Sequence, residues 1–454
     1  MRLIGLLLVL MVGMGLSGCI GSLRSQQPPA KWTTGFWLWS RNSADALSYS
    51  ETPDVLFVHA GTISHETFGT RSWYVSGHLP DQLPSAGEYW FVFRYERQQV
   101  PDVSTAPEIA DRLSRFQAVA RRRHLNVAGV QLDIDSPTAA LPQYALYPRE
   151  VRNSLPPRTQ ISITALLDWF RDGTAVADVI KEADEFVPQF YDAAGESDRS
   201  GGAIATKFDG AKWGPLFNRF RKRFRIGIST FGRARFVPRE NPEQPQHSRN
   251  VYFRDLTMLD IAADPAFSLQ TAPSNANELV LNYRVTRKHQ IDYNDFEPGD
   301  TVQFILSTAD GVRAAVESAR RMRGYCAGVV FFRWPESDES LALQPDEVLS
   351  AAGLAPQAPG KLASIYLVDG GCAAVNCVDL YLVNATRLSP KPIRYRIRSS
   401  TELEYFLPEE KVPIRMAGPS GLELSLPPYC GRGRLFLGRA VTTARTEFTV
   451  EEEQ

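Results

Sequence analysis

Ala128-Gly129-Val130-Gln131-Leu132-Asp133-Ile134-Asp135 has the pattern of a strand with two unlike faces. Side chains alternate along extended chain. Val130, Leu132 and Ile134 therefore share an apolar face suited to packing against helices. Gly129, Gln131, Asp133 and Asp135 share the other, and Ser136-Pro137 closes the run. Two carboxylates at the last inward positions belong where an interior opens to water. In a closed parallel barrel that place is the C-terminal end of the strands, where such enzymes keep their chemistry.

Short apolar runs of the same kind recur on both sides, at 35–40, 55–60, 89–95, 160–167, 186–191, 225–231 and 328–334. Helical patterns lie between several of them, at 107–124, 174–183, 213–224 and 309–324. In the first, Ile109, Leu113, Phe116, Val119 and Ala120 fall on one helical face. Strands alternating with amphipathic helices predict a parallel sheet, and eight of them predict an α/β fold, a (β/α)8 TIM-like barrel over residues 32–355. The alternation breaks between Phe231 and Ala309, which predicts an insertion at about 235–308 after the seventh strand, packed over the mouth. It carries a helical piece (255–262) and two strands (278–287 and 301–306). The Pro- and Gly-bearing run 356–360 reads as a linker. Beyond it, short strands at 364–368, 378–384, 393–399 and 434–441 predict a C-terminal antiparallel β-sandwich domain over 361–454.

The N-terminus has its own logic. Arg2 precedes an apolar run too short for a comfortable membrane span, and Leu16-Ser17-Gly18-Cys19 follows. Residues 1–18 read as a secretory signal peptide and 19–31 as a polar tether. No Zn-type Cys or His spacing is present, so no metal and no cofactor is expected. Cys372, Cys377 and Cys430 lie close in sequence, and a bridge between two of them fits an exported chain, with the pairing open. Lys+Arg 50 against Asp+Glu 51 is near neutrality, which argues against a nucleic-acid partner. The segment 201–207 lacks the phosphate-loop spacing, so it reads as an ordinary loop.

Three resemblances follow from these residues. Leu16–Cys19 resembles the lipobox of bacterial lipoproteins, which implies diacylglycerol on the Cys19 thiol. Without an Asp after the Cys, it also implies an outer-membrane address facing the periplasm. Gly129–Asp135 is similar to the Asp-Gly-x-Asp-x-Asp-x-Glu strand of family 18 glycoside hydrolases, the chitinase family. Gly129 matches the Gly, Asp133 the last Asp, and Asp135 falls on the catalytic Glu. Gln189-Phe190-Tyr191-Asp192 resembles that family's Met-x-Tyr-Asp, and Trp334 stands where it places a Trp beneath the sugar. Ala128 and Gln131 replace the family's first two acids, and the acid position is Asp, one methylene shorter. Over nearly its full length the chain also looks like a bacterial lipoprotein family catalogued as domain of unknown function 3142, on Gly35–Trp39, Gly129–Asp135 and Pro188–Asp192.

These readings converge on a glycan or polysaccharide partner at the cell envelope and a glycoside hydrolase-like site. Asp135 would be the general acid and Asp133 would tune it. Tyr191 and Asp192 would position the sugar, and Trp39, Trp334, Arg94, Gln189 and Glu336 would bind it. Asp192 or Glu336 is the candidate second carboxylate. Arg94 or Arg333 could instead pair with Asp133 across the barrel. The alternative from another class is a non-catalytic glycan-binding or scaffold lipoprotein, favoured by the lost acids.

Overall fold

The computed structural model describes residues 31–39, 52–66, 73–95, 97, 99–190, 208–239, 249–251, 258–270, 274–275, 278–291, 294–336, 339–354, 363–383, 388–430 and 433–453. The signal segment, Cys19 and the tether up to Ala30 lie outside these residues, as do Tyr191, Asp192 and the loop 201–207.

Eight parallel strands close on themselves. In chain order they are Thr33–Leu38, Val55–His65, Glu88–Tyr95, Val127–Ile134, Gln160–Ala165, Glu185–Pro188, Arg223–Ser229 and Cys326–Phe332. The eighth pairs with the first, and the first with the second. The short strand Trp73–Ser76 adds antiparallel to the overlong second strand and lengthens one wall. Helices Ala106–Arg122, Leu146–Ser154, Val176–Glu182, Gly210–Asn218 and Ala309–Arg321 cover the outside. Their apolar stripes meet the outward strand residues Phe91, Val130, Leu132, Ile161 and Phe224 in the largest core. Glycine is obligatory at two close approaches. A Cβ on Gly129 would lie 2.0 Å from the Gln160 carbonyl oxygen, and one on Gly328 1.8 Å from that of Thr33.

Three layers fill the barrel. At the end where the strands begin, Arg225 is enclosed by Glu185, by Glu88 at 3.6 Å and by Thr33 Oγ1 at 3.0 Å, with Arg223 3.1 Å from Glu185. Trp37, Phe57, Trp90, Val92, Val187 and Val330 form the apolar middle. The polar layer at the opposite end is the candidate site.

The insertion after the seventh strand is an antiparallel sheet of its own, built on Arg233–Val237, Glu278–Val285 and Thr301–Ser307. It is tied to the barrel rim where Ser307 Oγ donates to Phe231 O at 3.2 Å. Its core also receives Leu388 and Tyr429 of the C-terminal domain, and Asp260 pairs with Lys411 at 3.0 Å. The insertion thus braces barrel against sandwich. The C-terminal domain consists of two four-stranded antiparallel sheets around Leu380, Tyr395, Ile397, Leu422 and Leu437.

Cys372 and Cys377 form a disulfide, while Cys326 and Cys430 are free and buried. Burial pushes the Cys326 thiol up to about 12 and the Cys430 thiol up to about 11. Reactivity belongs to the thiolate. Residue-by-residue alkylation at pH 8, read by peptide mass mapping, is therefore expected to leave both thiols unmodified until denaturant is added. Rapid labelling of either in the native protein would contradict their enclosure.

Candidate functional site

The fourth strand delivers its inward face to the barrel mouth. Gln131 accepts from Trp37 Nε1 at 2.6 Å and donates to Ser162 Oγ at 3.0 Å, which satisfies a fully buried amide. One pleat higher, Asp133 Oδ1 accepts from Thr164 Oγ1 at 2.8 Å and from Gln189 Nε2 at 3.3 Å. Arg94 stands in register with Asp133 on the adjoining strand, so both turn the same way, and its Nε lies 3.9 Å from Oδ2. Asp133 is thus a nearly enclosed carboxylate held from three strands, 7% exposed. Gln189 Oε1 is a buried acceptor without a partner among the described residues.

Asp135 follows directly on the last strand residue and is half-buried. The chain then turns sharply, with Ser136 N bonded to Ile134 O at 2.9 Å, and Trp169 Nε1 clamps Ser136 O at 2.8 Å. Beneath this turn lies Tyr144, fully buried and edge-on to Trp169 at 5.6 Å. Its hydroxyl has no partner among the described residues. Burial, and then the charges of Asp133, Tyr147 and Asp135, raise its proton affinity far above the ordinary phenol. A neutral hydroxyl therefore sits within the field of both carboxylates. Sequence reading missed Tyr144 and Thr164, because neither carries a motif; only the fold brings them to Asp133.

The rim beside Asp133 is aromatic and cationic. The Arg94 guanidinium lies over the Trp39 ring at 5.2 Å, and His59 meets that ring edge-on at 4.8 Å. Trp39 is half-buried, with one face taken by Arg94. It is part of the Arg94 mount as well as of the rim.

The other expected residues lie elsewhere. Trp334 is 2% exposed and packs edge-on against Phe36 at 5.2 Å, in the core outside the barrel wall. That place keeps it from lying under a sugar: the eighth strand ends at Phe332, which still faces the interior, and its alternation does not extend to Trp334. Arg333 pairs with Glu339 at 2.8 Å rather than with Asp133. Glu336 is exposed, its backbone N–H bonded to the same Glu339 at 3.3 Å. Arg94 and Gln189 are thus the expected binding residues that the structure brings to Asp133. Among the described residues no group of three or more His, Cys, Asp or Glu is placed to hold a metal, and no helix is long and apolar enough to cross a membrane.

Comparison with known proteins bears on the same segment. Residues 92–267 match the family model described as Domain of unknown function (DUF3142). The DUF3142 segment contains Arg94, Asp133, Asp135, Tyr144, Thr164 and Gln189, the whole carboxylate cluster, and leaves Trp39 and His59 outside. No curated protein matches the chain. Among solved structures the chain is similar to the spore cortex-lytic enzyme SleL of Bacillus megaterium QM B1551, with 10% identity, TM-score 0.42, and 72% of this chain and 74% of that one covered. It is also similar to a chitinase from Bacteroides thetaiotaomicron, with 10% identity, TM-score 0.41, and 73% and 99% covered. A third is the GH18 chitinase from Cycas revoluta in complex with (GlcNAc)3, with 14% identity, TM-score 0.36, and 66% and 94% covered.

Proposed function

We propose that this chain is a lipid-anchored envelope protein whose barrel acts on a glycan by glycoside hydrolase-like chemistry, with Asp135 as general acid. One observation carries the reading: Asp133 closes the inward face of the fourth strand of a closed parallel barrel, a second carboxylate, Asp135, follows just past the strand end, and the two differ in setting. Asp133 is locked by Thr164, Gln189 and Arg94, whereas Asp135 is half-buried at the rim. An enclosed carboxylate beside a reachable one is an arrangement that separates their roles. Asp133 is the positioning residue in this scheme, and Arg94 with Trp39 forms a hydrogen-bonding and apolar flank for a pyranose ring. Tyr191 and Asp192, which lie outside the described residues, are assigned to positioning the sugar by their likeness to the Met-x-Tyr-Asp motif alone.

The rival reading, glycan binding without turnover, draws on the closure of Asp133 by Arg94. Both readings require saccharide affinity. Titration calorimetry against a panel of envelope and plant oligosaccharides is expected to give saturable binding to at least one. Arg94→Ala should weaken that binding about tenfold or more, the scale of one lost charged hydrogen bond. Absence of binding across the panel would sink both readings.

Anchoring has its own test. Cells fed labelled palmitate should yield labelled protein in the outer-membrane fraction. Cys19→Ser should be unlabelled and soluble. Label retained in Cys19→Ser would refute the assigned site.

A further inference from the structure

The chain as a whole is balanced in charge, but the fold separates the charges in space. Barrel helices run against the strands, so they end on the face where the strands begin, opposite the mouth. Four turns on that face carry exposed arginines. Arg121 and Arg122 close the helix Ala106–Arg122, and Arg158 follows the helix Leu146–Ser154. Arg221 follows Gly210–Asn218, and Arg321 and Arg323 close Ala309–Arg321. Most of the nearby acids are already engaged: Glu185 and Glu88 with Arg225, Asp54 with Lys31, Glu182 with Arg149 and Asp184 with Arg152, while Asp81 is exposed beside the Arg123 turn.

A helix dipole favours a cation in the last turn. It does not account for Arg158 and Arg221, which stand beyond the helix ends at Ser154 and Asn218. Moreover Arg158, Arg221 and Arg323 have φ of 72°, 52° and 50°. Arg221 and Arg323 stand just past helix ends and Arg158 in the turn Pro156–Thr159, and glycine fills such left-handed positions without steric cost. Arginine sits there against the backbone's preference.

The N-terminal chain enters at the same face. Thr33 Oγ1 donates to Ala327 O at 3.1 Å at the base of the barrel, Arg320 lies over the Trp32 ring at 5.8 Å, and Lys31 is exposed. Between Cys19 and Lys31 lie residues 20–30, with Arg24 as their sole charge. On the scaling for unstructured linkers, a chain of that length has a root-mean-square reach of roughly 20 Å. A lipid on Cys19 would therefore hold this face, and not the mouth, toward the bilayer. Cations this close to an anionic surface fall within reach of its field, which decays over about 8–10 Å at physiological salt.

We propose that the arginine-bearing base of the barrel docks on an anionic phospholipid bilayer, leaving the mouth with Asp133 and Asp135 turned away from it. The position of the anchor rests on the proposed lipid at Cys19; the arginine face does not, and the test separates them. Cys19→Ser protein, which carries no lipid, is sedimented with vesicles of phosphatidylcholine or of an equal mixture of phosphatidylcholine and phosphatidylglycerol. It should partition to the mixed vesicles only and be released by ~0.5 M salt. Adding Arg121→Glu, Arg221→Glu and Arg323→Glu should reduce partitioning by about tenfold or more. The control triple Arg284→Glu, Arg287→Glu and Arg445→Glu, of equal net charge, should leave it unchanged. If the first triple does not fold, as judged by circular dichroism, Arg122→Glu with Arg321→Glu replaces it. No partitioning, equal partitioning to both vesicles, or equal loss in both triples would overturn the proposal. Absence of palmitate label on the wild type would remove the anchor alone and leave the vesicle result standing.

Discussion

Replacing Arg225 with leucine will destabilise the barrel by roughly 3–5 kcal/mol. Arg225 is wholly enclosed at the base of the barrel. Burial pulls its proton affinity below the ordinary arginine range, while the Glu185 carboxylate pulls it back up. Its guanidinium is shared between Glu185, Glu88 and Thr33 and lies over the Phe57 ring at 5.8 Å. Removing it leaves Glu185, only 1% exposed, with Arg223 as its remaining cation. An ionised group in that state is costly because low-dielectric surroundings cannot replace its lost partner. In a chain of this size the unfolding midpoint should fall by roughly 3–5 °C. Arg225→Leu with Glu185→Leu should recover part of the loss, since deleting both partners removes the stranded charge. A single-variant loss under about 1 kcal/mol would show that the cluster is solvated, contrary to its burial.

Asp135→Asn will lower turnover of any glycan the protein cleaves by at least about a hundredfold, the scale of a lost general acid. The substitution keeps shape and hydrogen-bonding reach, so affinity for the same saccharide should stay within about threefold. Asp133→Asn should behave differently. Its carboxylate accepts from Thr164 and Gln189 and faces Arg94. An amide there turns donor toward donor and leaves Arg94 short of its charge partner. The expected result is a stability loss of about 1–3 kcal/mol together with weaker binding. The contrast is diagnostic: one variant loses the chemical step, the other the scaffold of the site. If the wild type binds saccharide and never turns it over, the binding reading stands and Asp135 has no catalytic part.

The barrel was legible in the sequence because each strand left a short apolar run and several helices kept their 3.6-residue stripe. The ends were less legible. The first, third, sixth, seventh and eighth strands begin one or two residues earlier than the apolar runs suggest. Glu185 and Arg223 look like turn residues, yet they pair with each other, and Glu185 with Arg225, inside the barrel. The two helices Leu141–Tyr144 and Leu146–Ser154 were hidden by Pro142 and Pro148. Each proline falls in the first turn of its helix, where a missing N–H costs little. In the sandwich, Leu403–Pro408, Ile414–Met416, Gly421–Leu426 and Phe448–Glu453 went unread: the first exposes Tyr405 and Leu407 and so shows no clean alternation, and the last ends in a run of acids.

The site was half legible. Alternation alone placed Gln131 and Asp133 inward, and Arg94 at the end of its strand was a fair candidate. Register then decided that Arg94, and not Arg333, meets Asp133. A pleat can be counted in a sequence, but not where it stops: the eighth strand ends at Phe332, and Trp334 beyond it lies in the outer core. The basic face was invisible for a related reason. Its arginines come from four separate turns, and only the barrel topology gathers them.

A crystal of the Asp135→Asn variant soaked with its tightest-binding oligosaccharide tests the central claim most directly. The account predicts a glycosidic oxygen at about 2.6–3.2 Å from the residue 135 side chain, with a sugar hydroxyl or amide engaged by Arg94 or Gln189. A sugar seated away from the end of the fourth strand, or one whose glycosidic oxygens all lie beyond reach of residue 135, would contradict it.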